Sequence, residues 1–165
     1  MWEADQIEEA VGSARQWLGY LPSVEQPRYN LFDRHIEPRI LPACVRNGMG
    51  VTVWSPLAQG LLTGKYNNGI PKGTRGGDTM WLAGQITPEN LARVKKLAEI
   101  AAPIDLTVAQ LALAWILRLP EISCAIVGAT KVEQLKENLG AAGVRLTAET
   151  IELIEEVINP DATEQ

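Results

Sequence analysis

The stretch AIVGATKVEQLKENLGAAGVRL, residues 125–146, carries the clearest structural signal in the chain. The short apolar run CAIV, residues 124–127, ends at Gly128 and is typical of a buried strand in a parallel sheet covered by helices. A glycine at this point lets the backbone turn sharply and lets a ligand approach it closely. The sequence therefore predicts a strand followed by a tight turn.

The polar segment after Gly128 predicts a helix. Thr130 and Glu133 have the T-x-x-E spacing of a capping box, so we expect the helix to begin at about Lys131. A helix N-terminus presents free N–H groups and a partial positive charge, which favour an anion such as phosphate. Taken alone, the segment fits a capped surface helix with a solvated lysine better than an anion site, because such strand–glycine–helix segments are common and no Walker or G-x-G-x-x-G loop occurs in the chain.

Length and composition favour one soluble domain. The chain has 165 residues, of which 46% are hydrophobic, and a net charge of -5 without a basic stripe, which argues against nucleic acid as a partner. Cys44 and Cys124 lie in apolar patterns and are expected to be buried, reduced thiols of a cytoplasmic protein. No signal peptide is expected, and no apolar run approaches the roughly 20 residues that a membrane span needs.

Short strands alternate with helices along the chain, which is typical of parallel βα units. Strands are predicted near residues 23–26, 50–54 and 124–127, and residues 56–86 form a long glycine-rich loop. Helices are predicted at residues 3–18, in the segment that ends at Asn47-Gly48, and from Thr87-Pro88, Thr107, Lys131 and Thr147.

Three parallel strands make a poor independent sheet, because both edges stay open. We therefore interpret residues 1–165 as a single partial domain of the α/β class.

Four motifs in order resemble the C-terminal half of an aldo-keto reductase. They are PSVEQPRYNLFDR, VTVWSPLAQGLLTGKY, GIPKGTR and IVGATKVEQLKENLGA. The resemblance covers nearly the whole chain and is strongest to the branch that contains the potassium-channel β subunits and related bacterial reductases. It implies an incomplete (β/α)₈ TIM barrel whose three strands correspond to the sixth, seventh and eighth, with the site at their C-terminal ends.

The resemblance also implies a binding site for NADP(H). The last strand and its helix would bind the adenosine end, with Thr130 and Lys131 at the 2′-phosphate. Trp54 matches the aromatic residue that stacks on the nicotinamide, and Gln26 matches the side chain that bonds the carboxamide. Lys65 and Arg75 lie on the long loop, 56–86, that would close over the cofactor. The remaining matched cofactor positions are Ser55, Leu57, Gly128, Gln134, Glu137 and Asn138.

Departures from the family pattern concern the catalytic groups. The G-x-S-N pattern that normally precedes the aromatic matched by Trp2 is absent, and the family's catalytic Asp, Tyr, Lys and His belong to the first half of the barrel. His35 is read as an exposed residue, and Tyr20, Tyr29 and Tyr66 do not sit in the catalytic motif. No catalytic residue is therefore assigned.

Three hypotheses follow. The chain is the NADPH-binding half of an enzyme that reduces aldehydes or ketones, or a non-catalytic cofactor-sensing or complementing module, or a truncated fragment without activity. In each case the expected partners are the nicotinamide cofactor and either the first half of the barrel or a second copy of the chain, which would pair with the open strand edges.

Overall fold

A computed structural model describes residues 2–70, 82 and 84–160 of the chain. The strands are β1 (Val24–Glu25), β2 (Gly50–Val53) and β3 (Ile122–Ala125). The α-helices are α1 (Ala4–Ser13), α2 (Ile40–Arg46), α3 (Pro88–Ala101), α4 (Val108–Leu117), α5 (Val132–Leu139) and α6 (Ala148–Ile158). A π-helical turn, Ala14–Leu18, continues α1, and short 3₁₀ segments occupy Ala58–Thr63 and Ala102–Ile104.

The three strands form one parallel sheet in the order β1-β2-β3. Val24 pairs with Gly50, and Val53 pairs with Ala125, with a register shift after Val51. The sheet confirms the predicted parallel βα units. It also leaves one edge of β1 and one edge of β3 without a strand partner among the described residues.

Helix starts follow the predicted caps at three places. The side chains of Thr87, Thr107 and Thr147 each accept a hydrogen bond from a backbone N–H in the first turn of α3, α4 and α6. Pro88 occupies the first turn of α3, where its missing N–H costs nothing. Gln110 completes a reciprocal capping box with Thr107. These local signals determine where α3, α4 and α6 begin.

The core lies between the sheet and the helices. Val51 and Val53 of β2 are fully buried, as are Leu111, Trp115 and Ile116 of α4. Helix α4 packs against β3, α3 and α5, while α1 packs on α2. No single described helix is long and apolar enough to cross a membrane; α3 with its following turn and α4 pass such a test only as a pair bent by 86°.

Two predictions about β3 are wrong. The strand begins at Ile122 rather than near residue 124, and Ile126 and Val127 after it are 43% and 36% exposed. The reason is its place at the sheet edge, where β2 is its only strand neighbour in the described part of the chain. Cys124 is likewise exposed instead of buried, whereas Cys44 is buried as expected.

A polar cluster ties the connection after β1 to two helices. The buried indole of Trp115 stacks on Tyr29, with 5.5 Å between the ring centres. The guanidinium carbons of Arg118 and Arg34 lie 3.8 and 5.1 Å from the centre of the Trp115 ring. Its Nε1 donates to Glu155 of α6 at 3.3 Å, and Arg34 also pairs with Glu155. The cluster therefore links α4 and α6 to the segment that contains Tyr29 and Arg34.

Glu37 completes this cluster. Arg34 donates to Glu37 at 2.8 Å, and the Tyr29 hydroxyl donates to the same carboxylate. Burial opposes ionisation of Glu37, but the hydrogen bonds from Arg34 and Tyr29 outweigh it and lower its pKa. Burial, and secondarily the Glu37 carboxylate, raise the pKa of Tyr29. Contacts with α4 and with α6 therefore hold the segment between residues 27 and 37 in place.

Candidate functional site at the strand ends

Trp54 stands at the carboxyl end of β2 and is held by its backbone. Its N–H donates to the carbonyl of Pro27 at 3.0 Å, and its carbonyl accepts from the N–H of Tyr29 at 3.3 Å. The β1–β2 ladder therefore continues past both strands, with Arg28 opposite Trp54. The indole is 40% exposed, so part of this fixed aromatic surface is accessible to a flat ligand.

A strained turn follows Trp54. Ser55, Ala58 and Gln59 have positive φ values of 56°, 46° and 56°, and Gly60 has 99°. Non-glycine residues seldom adopt this conformation, and such strain concentrates at ligand-binding sites. Within the turn, the N–H of Ala58 donates to the carbonyl of Ser55 at 3.0 Å. The predicted pyrophosphate segment thus has an unusual backbone.

Ser55 is held in this conformation by a buried side chain. The Asn30 amide donates to the Ser55 carbonyl at 3.0 Å, and its oxygen accepts from the N–H of Phe32 at 2.9 Å. Asn30 is fully buried. The hydroxyl of Ser55 is also buried and has no hydrogen-bond partner among the described residues, so it is an orphaned polar atom in the candidate site.

Leu57 and Lys65 shape the rest of the turn. The Leu57 carbonyl accepts from the N–H groups of Gly60 at 2.8 Å and Leu62 at 3.2 Å. The Lys65 side chain crosses directly over Gly60: a Cβ at residue 60 would lie 2.6 Å from its Nζ. The φ of 99° at residue 60 favours glycine, whereas the flexible end of the lysine side chain could move aside. Lys65 also lies over the ring of Tyr66, 4.9 Å from its centre. A cation is therefore positioned over the strained turn.

Two predicted residues contribute less to this geometry. Gln26 is exposed and follows the carboxyl end of β1, as Trp54 follows the carboxyl end of β2. Arg75 lies outside the described residues, together with part of the predicted loop 56–86.

The third strand end differs in detail from the prediction. Gly128 is exposed and is not among the positive-φ glycines, and a Cβ there would meet no atom within 4 Å. A sharp turn therefore does not require this glycine. The N-cap of α5 is Lys131, and its side chain makes no capping bond.

The capping box predicted from Thr130 and Glu133 does not form. Gln134 instead reaches back: its carbonyl oxygen accepts from the Thr130 N–H at 2.9 Å and from the Thr130 hydroxyl at 3.2 Å. The amide competes successfully because it lies four residues on, one turn above Thr130. Thr130 and Gln134 are thus brought together, with Lys131 exposed beside them.

Helix α5 presents the remaining predicted residues on a mostly exposed element. Gln134 is exposed, whereas Glu137 and Asn138 are half-buried. The Glu137 carbonyl accepts from the side chain of Gln110 at 3.0 Å, which ties α5 to α4. The helix is therefore anchored by its backbone while its polar side chains remain at the surface.

Among the described residues, the three tyrosines and His35 do not gather at the strand ends. Tyr29 and Tyr66 are buried, and the Tyr29 hydroxyl is bonded to Glu37. Tyr20, 87% exposed, precedes β1 and so lies away from the strand ends. His35 is exposed, as expected, and contacts Asp33. Within the described ranges, no three His, Cys, Asp or Glu side chains are placed to hold a metal ion.

Two clefts of the described surface lie away from the strand ends. One runs between α3 and α6 and includes Ile104 and Leu153; the other lies between α2 and the end of α4 and includes Val45 and Leu119. Neither contains a residue that the sequence assigns to the cofactor. The strand-end site is an open surface, so the side chains and backbone described above must define it.

Arg28 and Asn30 are the residues that sequence reasoning missed. Both follow β1 in the polar segment PRYN, which contains no ligand-binding motif. Each acts on a residue more than 20 positions away, Trp54 or Ser55, and only the pairing of β1 with β2 brings them together.

Comparison with known proteins assigns the family. Residues 1–159 match the model of the aldo/keto reductase family. Three similar proteins are provisionally named as voltage-gated potassium channel β subunits. The one from Schizosaccharomyces pombe is 45% identical over 96% of this chain and 48% of its own length. Those from Arabidopsis thaliana and Oryza sativa are 43% and 42% identical over 95% and 99% of this chain, and 50% and 52% of their own lengths.

The chain belongs to the aldo/keto reductase family. It spans about half the length of the curated relatives it matches. The open sheet of three parallel strands with surrounding helices is consistent with part of a (β/α)₈ barrel. The predicted fold class and family are therefore confirmed.

Proposed function

We propose that this chain supplies the NADPH-binding part of an aldo-keto reductase that reduces aldehydes or ketones to alcohols. The observation that carries the proposal is the strained turn after β2. It combines a fixed, half-exposed Trp54, the orphaned hydroxyl of Ser55, and the ammonium of Lys65 over Gly60. An aromatic surface next to an anion-attracting turn suits a nicotinamide joined to a pyrophosphate.

The residues present are chemically suited to the cofactor. In this proposal Trp54 stacks on the nicotinamide and Gln26 bonds its carboxamide, while Ser55, Leu57 and Lys65 bind the pyrophosphate. Arg75 would add a second cation from the long loop. Gly128, Thr130, Lys131, Gln134, Glu137 and Asn138 form the proposed adenosine end. Support for the pyrophosphate residues comes from the Ser55 hydroxyl, which has no hydrogen-bond partner among the described residues and could donate to a phosphate oxygen if the turn opened slightly.

The proposed preference for NADPH over NADH rests on Lys131. Its side chain is exposed at the N-terminus of α5, where a phosphate would also meet the positive end of the helix dipole. A charge-assisted contact contributes roughly 1.5–3 kcal/mol, so we expect a preference of about tenfold or more. The Thr130 N–H already donates to the side-chain amide of Gln134, so the phosphate would have to displace that amide to accept a hydrogen bond from Thr130.

Lys131→Glu should abolish the preference, and Lys136→Glu, on the same helix, is the control for net charge. Equal affinity of the unaltered chain for both cofactors would refute the role of Lys131.

Binding and turnover are expected to separate. When bound, NADPH supplies the hydride for carbonyl reduction. A proton donor to the developing alkoxide is also needed, and removal of a general acid typically costs about 10²–10⁴ in rate. The described tyrosines do not offer one at the strand ends, since Tyr29 and Tyr66 are buried. We therefore expect NADPH to bind to this chain without carbonyl reduction above background.

The open sheet edges are the proposed surfaces for assembly. Val24 on the outer strand β1 is 52% exposed, and unpaired parallel edges invite pairing with further strands. We propose that the rest of the barrel, or a second copy of this chain, supplies those strands. Light scattering should show self-association of the isolated chain at micromolar concentrations; a stable monomer throughout that range would count against it.

A fluorescence titration tests the proposed binding directly. NADPH should quench the emission of the unaltered chain, and Trp54→Leu should remove most of that quenching and weaken binding. Trp17→Leu is the matched control, because Trp17 is 76% exposed but belongs to the turn after α1, away from the strand ends. Equal effects of the two substitutions, or no binding at all, would refute the proposal.

A further inference from the structure

We infer that Arg28 makes the nicotinamide site discriminate against the oxidised cofactor, so that NADPH binds in preference to NADP⁺. The inference rests on the proposed stacking of the nicotinamide on Trp54.

Arg28 and Trp54 are opposite each other in the extended ladder. Backbone hydrogen bonds on either side, from Trp54 to Pro27 and from Tyr29 to Trp54, fix them as a parallel bridge pair. Side chains opposite each other in a sheet project from the same face. The Arg28 guanidinium accordingly lies over the indole, with its central carbon 5.9 Å from the ring centre.

The guanidinium is restrained in that position. Its Nε forms an ion pair with Asp33 Oδ2 at 3.2 Å, and the two side chains are only 23% and 25% exposed. Asp33 is itself fixed, because its backbone exchanges two hydrogen bonds with Asn30 at 3.0 and 3.1 Å. The other oxygen of Asp33 contacts His35. The ion pair with Asp33 therefore favours the position of Arg28 beside Trp54.

The two redox forms of the cofactor differ in charge at the ring. The reduced dihydronicotinamide is neutral, whereas the oxidised nicotinamide carries one positive charge. The guanidinium lies 5.9 Å from the centre of the indole on which the nicotinamide is proposed to stack. Like charges roughly 6–9 Å apart weaken binding about two- to threefold at the dielectric constant of water, and more at a partly buried site. The Asp33 carboxylate offsets part of this repulsion, but the guanidinium is the charge that lies over the indole. The oxidised cofactor should thus bind more weakly and leave sooner.

The test compares dissociation constants for NADPH and NADP⁺ by titration calorimetry. The variants are Arg28→Gln and Arg28→Met, which remove the charge, and Arg28→Lys, which keeps it. Arg145→Gln, at an exposed position in the connection before α6, controls for net charge. Circular dichroism verifies that each variant is folded, and two neutral variants guard against misfolding of one.

The neutral variants should lower the NADP⁺ dissociation constant relative to that of NADPH by about twofold or more, as Coulomb's law gives for charges at this separation. Arg28→Lys and Arg145→Gln should leave the ratio close to that of the unaltered chain. An unchanged ratio in a folded neutral variant, with both cofactors bound, would overturn this inference alone. Failure of the unaltered chain to bind either cofactor would instead overturn the proposed function, and this inference with it.

Discussion

Removal of the Asn30 side chain should lower the affinity for NADPH, although Asn30 is not proposed to contact the cofactor. Asn30 is fully buried, and its amide donates to the Ser55 carbonyl at 3.0 Å while its oxygen accepts from the Phe32 N–H at 2.9 Å. In Asn30→Ala both partners lose these bonds. A buried group left unsatisfied costs about 1–3 kcal/mol. Since Ser55 and Phe32 are partly accessible to water, we expect a loss of about 1–2 kcal/mol in the free energy of unfolding.

The effect on affinity follows from the backbone of Ser55. Its left-handed conformation, with φ of 56°, costs a non-glycine residue about 1–2 kcal/mol. Without the Asn30 bond Ser55 can relax, and the cofactor must then restore the turn from a less populated state. An energetic cost of that size corresponds to an affinity loss of about 5- to 30-fold.

Urea unfolding and NADPH titration together measure both effects. Leu31→Ala is the matched control: Leu31 is 1% exposed next to Asn30, so truncation should lower stability without releasing Ser55. Asn68→Ala, at an exposed position, should change neither quantity. Equal affinities of Asn30→Ala and Leu31→Ala at similar stabilities would refute the reasoning, because Asn30 would then be a structural residue only.

Three further predictions concern the scaffold. Glu155→Ala should lower the free energy of unfolding in urea by about 1–2 kcal/mol, because the Arg34 and Trp115 contacts are lost from a partly exposed cluster; Glu152→Ala, exposed on the same helix, should have little effect. Because the pKa of Glu37 is lowered on folding, its carboxylate stabilises the fold at pH values above its ordinary pKa of 4.5, and this stabilisation is lost as the pH falls through the lowered pKa. Glu37→Gln should therefore flatten the decline of the melting temperature at acid pH. Cys124 should react rapidly with a thiol reagent and Cys44 slowly, because burial raises the pKa of the Cys44 thiol; two equally fast thiols would contradict the structure.

Local sequence signals account for the parts of the fold that were predicted correctly. The caps at Thr87, Thr107 and Thr147 depend on side chains three residues from their partners, so the sequence contains both members of each pair. The β-branched run before Trp54 gave β2, because such residues suit a buried strand. Near neighbours in the sequence therefore suffice for most of the helix starts and for the central strand.

The errors arise where the outcome depends on competition or on distant neighbours. Thr130 had a suitable capping partner in Glu133, but Gln134 formed the bond instead, and spacing alone does not rank two such partners. The burial of Cys124 depends on what covers the edge of the sheet, which the apolar pattern around it does not contain.

The contacts that define the candidate site could not be predicted either, because they also join residues that are distant in the sequence. Arg28 meets Trp54, and Asn30 meets Ser55, through the pairing of β1 with β2. No local sequence signal indicates either contact, although the family resemblance assigns Trp54 and Ser55 themselves.

Amide chemical-shift mapping with NADPH tests the central claim most directly, because it reports where on the chain the cofactor binds. Titration of the ¹⁵N-labelled chain should shift the amide signals of Ser55, Gly60, Gly128 and Lys131, which lie at the strand ends and the start of α5. Signals of Leu153 and its neighbours in the cleft between α3 and α6 should stay unchanged. Shifts confined to that cleft, or no shifts at millimolar NADPH, would contradict the proposed cofactor site.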